Sequence, residues 1–199
     1  MKIYKMQGEL NMTERCSWCG KDDLYCKYHD EEWGVPVHDE KKHFEFLVLE
    51  SAQAGLSWIT ILRKRENYRL AYDDFDFEKV SKYDEIKVQE LMNNKGIVRN
   101  KLKIEASINN AKCFLKIQDE FGSFDKYIWA FVNNKPIQNK FETMEEVPAI
   151  TELSKEISKS LKKRGFKFLG PTTIYAHMQA IGMVNDHLIT CYRYSELND

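Results

Sequence analysis

The sequence predicts an all-α domain, and three observations lead to that fold class. Apolar residues recur at helical spacing over most of the chain, whereas the alternation typical of strands is nearly absent. Two residues stand where helices commonly begin: Asp39 before a long apolar segment, and Pro171 at a first helical position. With 199 residues, 43% of them hydrophobic, the chain can bury a sizeable core, and residues 12–199 are expected to form a single domain. Residues 1–11 are expected to be an N-terminal extension that need not be ordered.

The predicted helices follow one another with short connections. After Asp39 a helix that is apolar on every side, and therefore buried, should end at Gly55. The segment LSWITILRKRENY should form a second helix with a basic exposed end, and residues 86–112 a helix–turn–helix hairpin around the turn NNKGI. Further helices are predicted at 124–133, 152–164 and 171–182, and loops at 12–38 and 134–150.

Composition and charge restrict the class of protein. Lys and Arg number 30 and Asp and Glu 31, so net charge does not indicate a nucleic-acid partner, and any DNA-binding surface must be local. The chain has no uninterrupted apolar span, and its N-terminus lacks the basic-then-apolar order of a secretory signal. We therefore expect a cytoplasmic protein without a membrane partner. Nothing in the sequence demands a partner chain, so a monomer is expected.

The cysteines and two histidines suggest a metal site. Five cysteines are an odd count in a chain without an export signal, which argues against a disulfide framework. On a helix beginning at Asn185, His187 and Cys191 would lie one turn apart on one face and could reach the same ion. Cys16 and His29 could supply the other half of the site, although they are farther apart than the ligands of a usual metal knuckle.

These spacings leave two interpretations open. Cys191 is equally well explained as a small buried apolar residue, and His187 as a surface imidazole. Cys16 and Cys19 also form a C-x-x-C pair, which suits zinc or redox chemistry equally. A site with two cysteine and two histidine ligands would leave no position for water, so its metal would be structural.

Aromatic residues and an acid suggest a binding pocket. Glu50 lies in the apolar part of the first long helix, and Trp58 follows in the second. A flat cationic ring fits between aromatic faces, and a carboxylate supplies the opposite charge. Any one of these aromatic residues could instead fill the core. The loop predicted at 12–38 contributes four more aromatic residues, Trp18, Tyr25, Tyr28 and Trp33.

Basic residues cluster at the predicted hairpin turn. Backbone amides of NNKGI lie beside several cations, and that combination can hold a DNA phosphate without reading the base sequence. The other basic runs of the chain are expected to be solvated helix faces. The residues of the turn are Lys95, Gly96, Arg99, Lys101 and Lys103.

Several long segments together resemble a known family: RCSW, YHDEEWGVP, LESAQAGLSWITILRKRENYR, KGIVRNKLKI and LKKRGFKFLGPTTIYAHMQAIGMVNDH. They are similar to the bacterial 3-methyladenine DNA glycosylase I family, a divergent branch of the helix-hairpin-helix glycosylases. The resemblance runs from about Met12 to Tyr194. It implies a monofunctional DNA glycosylase of base excision repair, which would flip 3-methyladenine out of alkylated double-stranded DNA and hydrolyse its N-glycosidic bond.

The resemblance assigns Glu50 as the acid that recognises the base, and so as the candidate catalytic residue. Related glycosylases use an aspartate after the hairpin, but the corresponding stretch here offers asparagines and Glu105, so no catalytic aspartate is assigned. Nothing is carried over to the variable segment 134–150. The implied pocket residues are Tyr28 and Trp58, with Trp18, Tyr25 and Trp33 close by.

The resemblance also implies one structural Zn²⁺ that joins residues 16–29 to residues 187–191. Leu56, at the apex between two predicted helices, is a candidate to fill the gap left by a flipped base. The implied zinc ligands are Cys16, His29, His187 and Cys191.

One alternative from another functional class remains. A non-catalytic, zinc-stabilised DNA-binding module would use the hairpin, the basic residues and the zinc equally well. It would have no need of an acid in an apolar helix, so Glu50 favours the enzyme. A zinc hydrolase is a poorer interpretation, because four protein ligands leave no open position for water.

Overall fold

The computed structural model describes residues 14–198, which are mostly helical, as the sequence predicts. The expected extension at residues 1–11 lies outside the described residues. Two short strands, β1 (Ile137–Gln138) and β2 (Val184–Asn185), pair in parallel. The helices are α1 (Asp23–Glu31), α2 (Glu40–Gln53), α3 (Trp58–Leu62), α4 (Arg65–Ala71), α5 (Phe77–Val80), α6 (Glu85–Asn93), α7 (Lys101–Phe121), α8 (Phe124–Trp129), α9 (Glu152–Lys163), α10 (Pro171–Ala180) and α11 (Tyr192–Glu196).

Helix α2 forms the centre of the fold. The Asp39 side chain accepts a hydrogen bond from the Lys42 amide and so caps the first turn. Every residue from His43 to Ala52 is buried, because α3, α7, α8 and α10 pack around this helix. The prediction of a helix buried on all sides is confirmed, and Glu50 therefore lies inside the protein.

The segment LSWITILRKRENY forms two helices rather than the single predicted one. Helix α3 ends at Leu62, and α4 begins at Arg65. The break turns Arg65 inward, where its guanidinium donates to the carboxylates of Glu32 and Glu45. These ion pairs join segments that are distant in sequence, so local periodicity does not predict the break.

Helices α6 and α7 form the predicted hairpin around residues 94–100. The Tyr68 hydroxyl of α4 accepts a hydrogen bond from the Val98 amide and holds the turn against that helix. A Cβ at Gly96 would lie 2.9 Å from the Asn67 side chain. Close packing of the turn against α4 therefore requires glycine at this position.

Lys103, in the first turn of α7, ties the hairpin to the end of α2. Its Nζ donates to the carbonyl oxygens of Ala52 and Ala54 at 2.9 and 2.7 Å. The last carbonyls of a helix lack partners within the helix, and a cation is favourable at that end of the helix dipole. The hairpin and the helix that carries Glu50 are thereby held as one unit.

The helix predicted to begin at Asn185 is wrong. The backbone there is extended because β2 pairs with β1, and the Asn139 amide donates to the Asn185 carbonyl at 3.3 Å. The Asn185 side chain also donates to the Tyr194 carbonyl. Residues 186–191 form a turn, and α11 begins only at Tyr192. The pairing joins distant segments, so helical periodicity does not show it.

The helices predicted at 124–133, 152–164 and 171–182 are present, with shorter bounds. Helix α10 ends at Ala180, and Gly182 follows with a φ of +70°. A Cβ at Gly182 would overlap the backbone of Val35 and Pro36, so this close crossing also depends on glycine. Among the described helices, none is long and apolar enough to cross a membrane.

Candidate active site and metal centre

Four buried side chains from the two ends of the described chain meet in one cluster, formed by Cys16, His29, His187 and Cys191. Their ligand atoms all lie within 4.8 Å of one another. The Sγ of Cys191 lies 3.4 Å from Nε2 of His29 and 3.5 Å from Nδ1 of His187. The Sγ of Cys16 lies 3.6 Å from the same nitrogen of His187. The structure thus brings together all four predicted metal ligands.

This set of donor atoms fits a tetrahedral metal ion. Zinc–sulfur bonds of about 2.3 Å and zinc–nitrogen bonds of about 2.0 Å place sulfur and nitrogen ligands about 3.5 Å apart at a tetrahedral angle. Three of the four sulfur–nitrogen pairs in the cluster lie 3.4 to 3.6 Å apart, in agreement with that geometry. A centre with four protein ligands is closed, so it suits a structural metal rather than a catalytic one.

Hydrogen bonds fix which nitrogen of each histidine faces the cluster. Nδ1 of His29 lies 2.8 Å from the Asp30 carboxylate, and Nε2 of His187 lies 3.0 Å from the Trp33 carbonyl. Each acceptor keeps a proton on the outer nitrogen, so the inner nitrogen carries the lone pair that could bind a metal. In His29 this inner nitrogen also lies 3.3 Å from the Cys16 amide nitrogen. Cys19 does not join the cluster, because its thiol donates to the backbone carbonyl of Cys16.

A cavity of about 320 Å³ adjoins the cluster, a volume at the lower end of the range for ligand sites, roughly 300–1,000 Å³. Its aromatic wall rests on the histidines: the Trp18 ring centroid is 5.3 Å from that of His29, and Trp33 is 4.6 Å from His187. The cavity is lined by all six predicted pocket residues, Trp18, Tyr25, Tyr28, Trp33, Glu50 and Trp58.

Tyr28 and Trp58 stand beside each other in this wall. Their ring centroids are 5.4 Å apart and their planes are inclined by 52°. Both side chains are almost fully buried, at 3% and 8% exposure, so their orientation is set by the surrounding core. An inclined pair of fixed rings offers π faces to a flat ligand from two directions.

Glu50 is a buried acid at the cavity. It is 3% exposed, and within the described chain its Oε2 has no hydrogen-bond partner. Burial raises the pKa of Glu50 from its ordinary value of 4.5 to about 8, because the charged form loses its hydration. At pH 7 the carboxyl therefore carries its proton. A cationic ligand in the cavity would lower that pKa and form an ion pair with the carboxylate.

The remaining walls of the cavity include residues that sequence reasoning missed. One wall comes from the segment 144–149, in which no motif marks a binding role. Another wall is a face of α10. The sequence predicts this helix from its spacing, but it does not predict that the helix lines a cavity. The polar and apolar groups added by these walls include Met144, Val147, Ala149, Thr172, Tyr175 and Gln179.

Three of the predicted DNA-contact residues are accessible at the surface. Leu56 is 43% exposed in the connection between α2 and α3. Lys95 and Arg99 are exposed at the hairpin turn, and neither forms an ion pair within residues 14–198. These two cations are therefore available to an anionic partner.

Two other predicted DNA-contact groups already have partners. The Lys101 ammonium lies 3.0 Å from the Glu85 carboxylate across the hairpin. The Gly96 amide donates to the Asn94 side chain at 2.8 Å. Binding of a phosphate at this turn would therefore depend on Lys95 and Arg99 more than on Lys101 or the Gly96 amide.

Two curated relatives cover nearly the whole chain. The DNA-3-methyladenine glycosylase of Haemophilus influenzae is 49% identical over 180 residues, which are 90% of this chain and 97% of that protein. The DNA-3-methyladenine glycosylase 1 of Escherichia coli is 49% identical over 181 residues, which are 91% of this chain and 97% of that protein.

Solved structures of similar proteins have the same fold. A crystal structure of a 3-methyladenine DNA glycosylase I has a TM-score of 0.88 at 45% identity. The match covers 90% of this chain and 98% of that chain. The Staphylococcus aureus enzyme, solved to explain its recognition of 3-methyladenine, has a TM-score of 0.87 at 40% identity and covers 90% and 96%. A family model described as methyladenine glycosylase matches residues 18–194. The family resemblance is confirmed, and the chain belongs to the methyladenine glycosylase family.

Proposed function

We propose that this chain is a monofunctional DNA glycosylase that excises 3-methyladenine from alkylated double-stranded DNA in base excision repair. The proposal is carried by the Glu50 carboxyl, which is buried at an aromatic cavity and whose Oε2 has no hydrogen-bond partner among residues 14–198. A buried polar group without a partner costs a folded protein about 1–3 kcal/mol. A module that only bound DNA would gain nothing from this cost, so the alternative of a non-catalytic DNA-binding protein leaves Glu50 unexplained.

The substrate is activated before it enters the cavity. Methylation at N3 places a positive charge on adenine and weakens its bond to the sugar. When the C–N bond breaks, its electron pair stays on the base nitrogen, and the base leaves as neutral 3-methyladenine. Water forms the new bond to the sugar carbon and releases one proton. The leaving base needs no acid, which agrees with a site to which no catalytic aspartate is assigned.

Glu50, Tyr28 and Trp58 would select the cationic base over neutral adenine. The cation lowers the pKa of the Glu50 carboxyl, which releases its proton to water, and the resulting carboxylate accepts a hydrogen bond from the exocyclic amino group. The two rings attract a cationic ring through their π faces more strongly than a neutral one. The same contacts therefore provide both binding and discrimination.

The exposed residues around the hairpin would hold the DNA. A base inside a duplex must be unstacked before excision, which costs a few kcal/mol, and least for a damaged base. Leu56 would fill the space that the flipped base leaves. Lys95 and Arg99 would contact phosphates without reading sequence. One chain supplies all of these groups, so the enzyme would act as a monomer.

The cluster of Cys16, His29, His187 and Cys191 would hold one Zn²⁺, supported by the fit of its donor atoms to a tetrahedron. The ion would supply a cross-link between the two ends of the chain and no chemistry at the base. The two histidines would be kept in place as ligands by the acceptors on their outer nitrogens, the Asp30 carboxylate and the Trp33 carbonyl.

Release of free base from methylated DNA tests the function directly. The wild-type protein should release 3-methyladenine. Glu50→Gln should lower kcat/KM by about 10²-fold because an amide cannot pair with the cation, and Trp58→Ala should lower it about tenfold. The matched control is Glu105→Gln on an exposed acid of α7, which should retain activity. Full activity in Glu50→Gln would remove that residue from the mechanism, and no release by the wild type would reject the enzyme.

The pKa of Glu50 predicts how stability depends on pH. Between pH 4.5 and about 8 the folded protein keeps the Glu50 proton while the unfolded chain releases it. Raising the pH across this window therefore favours unfolding, by about 1.4 kcal/mol per pH unit. Glu50→Gln removes this dependence, so the variant should become progressively more stable than the wild type up to pH 8. The free energy of unfolding of both proteins can be measured with urea at several pH values in this window. A difference between variant and wild type that does not change with pH would contradict the raised pKa.

Metal analysis tests the proposed zinc centre. The wild type should contain one zinc per chain. Cys191→Ser should lose the metal and lower Tm by roughly 10 °C or more, because the cross-link is lost. Cys113→Ser is the matched control, since Cys113 is also buried but lies outside the cluster. A wild type that folds stably and contains no metal would overturn the proposal.

The salt dependence of DNA binding tests the hairpin. Lys95→Ala and Arg99→Ala should each reduce the slope of log affinity against log salt by about 0.9, as expected for one lost phosphate contact. Lys101→Ala should change the slope less, because Glu85 already neutralises this lysine. Leu56→Ala should keep the wild-type slope and lower turnover. Fluorescence anisotropy with a labelled duplex provides the slopes, and an equal effect of all three basic residues would contradict the assignment.

A further inference from the structure

Asp186 is a buried carboxylate that the proposed mechanism does not use. It is 1% exposed and has three hydrogen-bond donors around it. Its Oδ2 accepts from the Tyr175 hydroxyl at 2.6 Å and from Nε2 of Gln179 at 2.8 Å. Its Oδ1 accepts from the Asn139 side chain at 2.6 Å. A buried carboxylate with this number of donors is well satisfied, so its partners are held firmly.

Two of these partners face the cavity. Tyr175 and Gln179 lie one turn apart on α10, and both line the cavity wall. Nε2 of Gln179 is directed toward Asp186, where it donates to the carboxylate. The carbonyl oxygen of Gln179 is then left for a ligand, beside the second N–H of its amide. The Tyr175 proton is likewise committed to Asp186, so Tyr175 offers only an acceptor to the cavity.

Asp186 also joins the other parts of the site. It directly precedes His187 of the Cys/His cluster. Asn139 directly follows β1 and leads toward the segment 144–149 that forms another cavity wall. The carboxylate thus connects three structures: the metal-binding turn, the α10 wall and the segment after β1.

We propose that Asp186 is a positioning and specificity-determining residue that fixes Tyr175 and Gln179 so that the α10 wall presents hydrogen-bond acceptors. In the methylated purine the exocyclic amino group is the hydrogen-bond donor, and the positive charge of the ring strengthens it, so acceptors on the wall complement it. The inference rests on the proposed function, because it assumes that the cavity receives such a base. It assigns a role in base selection to a residue outside the cavity itself.

Asp186→Asn tests this role because the two side chains have nearly the same shape. An amide at this position can donate to Gln179, which then turns its own NH₂ group into the cavity and reverses the polarity of the wall. Affinity for free 3-methyladenine should fall about tenfold, the effect of one mismatched hydrogen bond. Quenching of the cavity tryptophans reports this affinity. In excision assays KM should rise more than kcat falls, and zinc content should match the wild type.

A double-mutant cycle with Gln179→Met separates positioning from general damage. If Asp186 acts through Gln179, Asp186→Asn should cause little further loss of affinity once the amide is gone. Independent, multiplicative losses would overturn the proposal, as would wild-type affinity in Asp186→Asn. If Asp186→Asn does not fold, a double-mutant cycle between Tyr175→Phe and Gln179→Met replaces it. Independent, multiplicative losses of affinity in that cycle would also overturn the proposal.

Asn185→Asp is the matched control. Asn185 is equally buried, but its side chain accepts from the His187 amide and donates to the Tyr194 carbonyl, and it has no hydrogen bond to the cavity wall within residues 14–198. It should lower stability without changing base affinity per folded molecule, and an equal loss of affinity would reduce Asp186 to a structural residue. A wild type that neither binds nor releases 3-methyladenine would reject the proposed function itself. A wild type that does both, with an unaffected Asp186→Asn, would reject only this inference.

Discussion

The cavity depends on the meeting of the two ends of the described chain at the Cys/His cluster. Trp18 and Trp33 come from the N-terminal side and pack on His29 and His187, so the aromatic wall rests on the cluster. The α10 wall is fixed to the same region through Asp186. A cross-link at the cluster would therefore set the spacing between two walls of the cavity. The proposed metal can shape base recognition in this way although its four ligands keep it from the chemistry.

The burial of Glu50 opposes stability and favours the proposed function. Above pH 4.5 its raised pKa makes the folded state less favourable. The surrounding structure compensates: α2 is buried on all sides, and Lys103 from the hairpin satisfies the carbonyls of Ala52 and Ala54 at its end. The helix that carries the destabilising acid is thus held by neighbouring helices and by the hairpin. Such an exchange of stability for activity is expected at a binding site for a charged ligand.

The features that the sequence predicted depend on local pattern. The Asp39 cap and the apolar segment after it predict α2, and the turn NNKGI predicts the hairpin around residues 94–100. The position of Glu50 among aromatic residues predicts a cavity before any contact is known. The loop predicted at 12–38 is wrong where α1 (Asp23–Glu31) forms behind its Asp22 cap. The other failures are at places where distant segments meet. Arg65 breaks a helix to reach two carboxylates, and Asn185 is extended because it pairs with β1.

The error at Asn185 explains how adjacent residues can serve two sites. Spacing on a helix brings His187 and Cys191 together on one face, but a turn brings them together in the structure. Asp186 and His187 follow β2 directly, in the turn of residues 186–191. In this turn the Asp186 carboxylate reaches Tyr175 and Gln179 of α10, while His187 faces the cluster. The non-helical backbone that local periodicity missed is thus the feature that couples the proposed metal centre to the proposed base pocket.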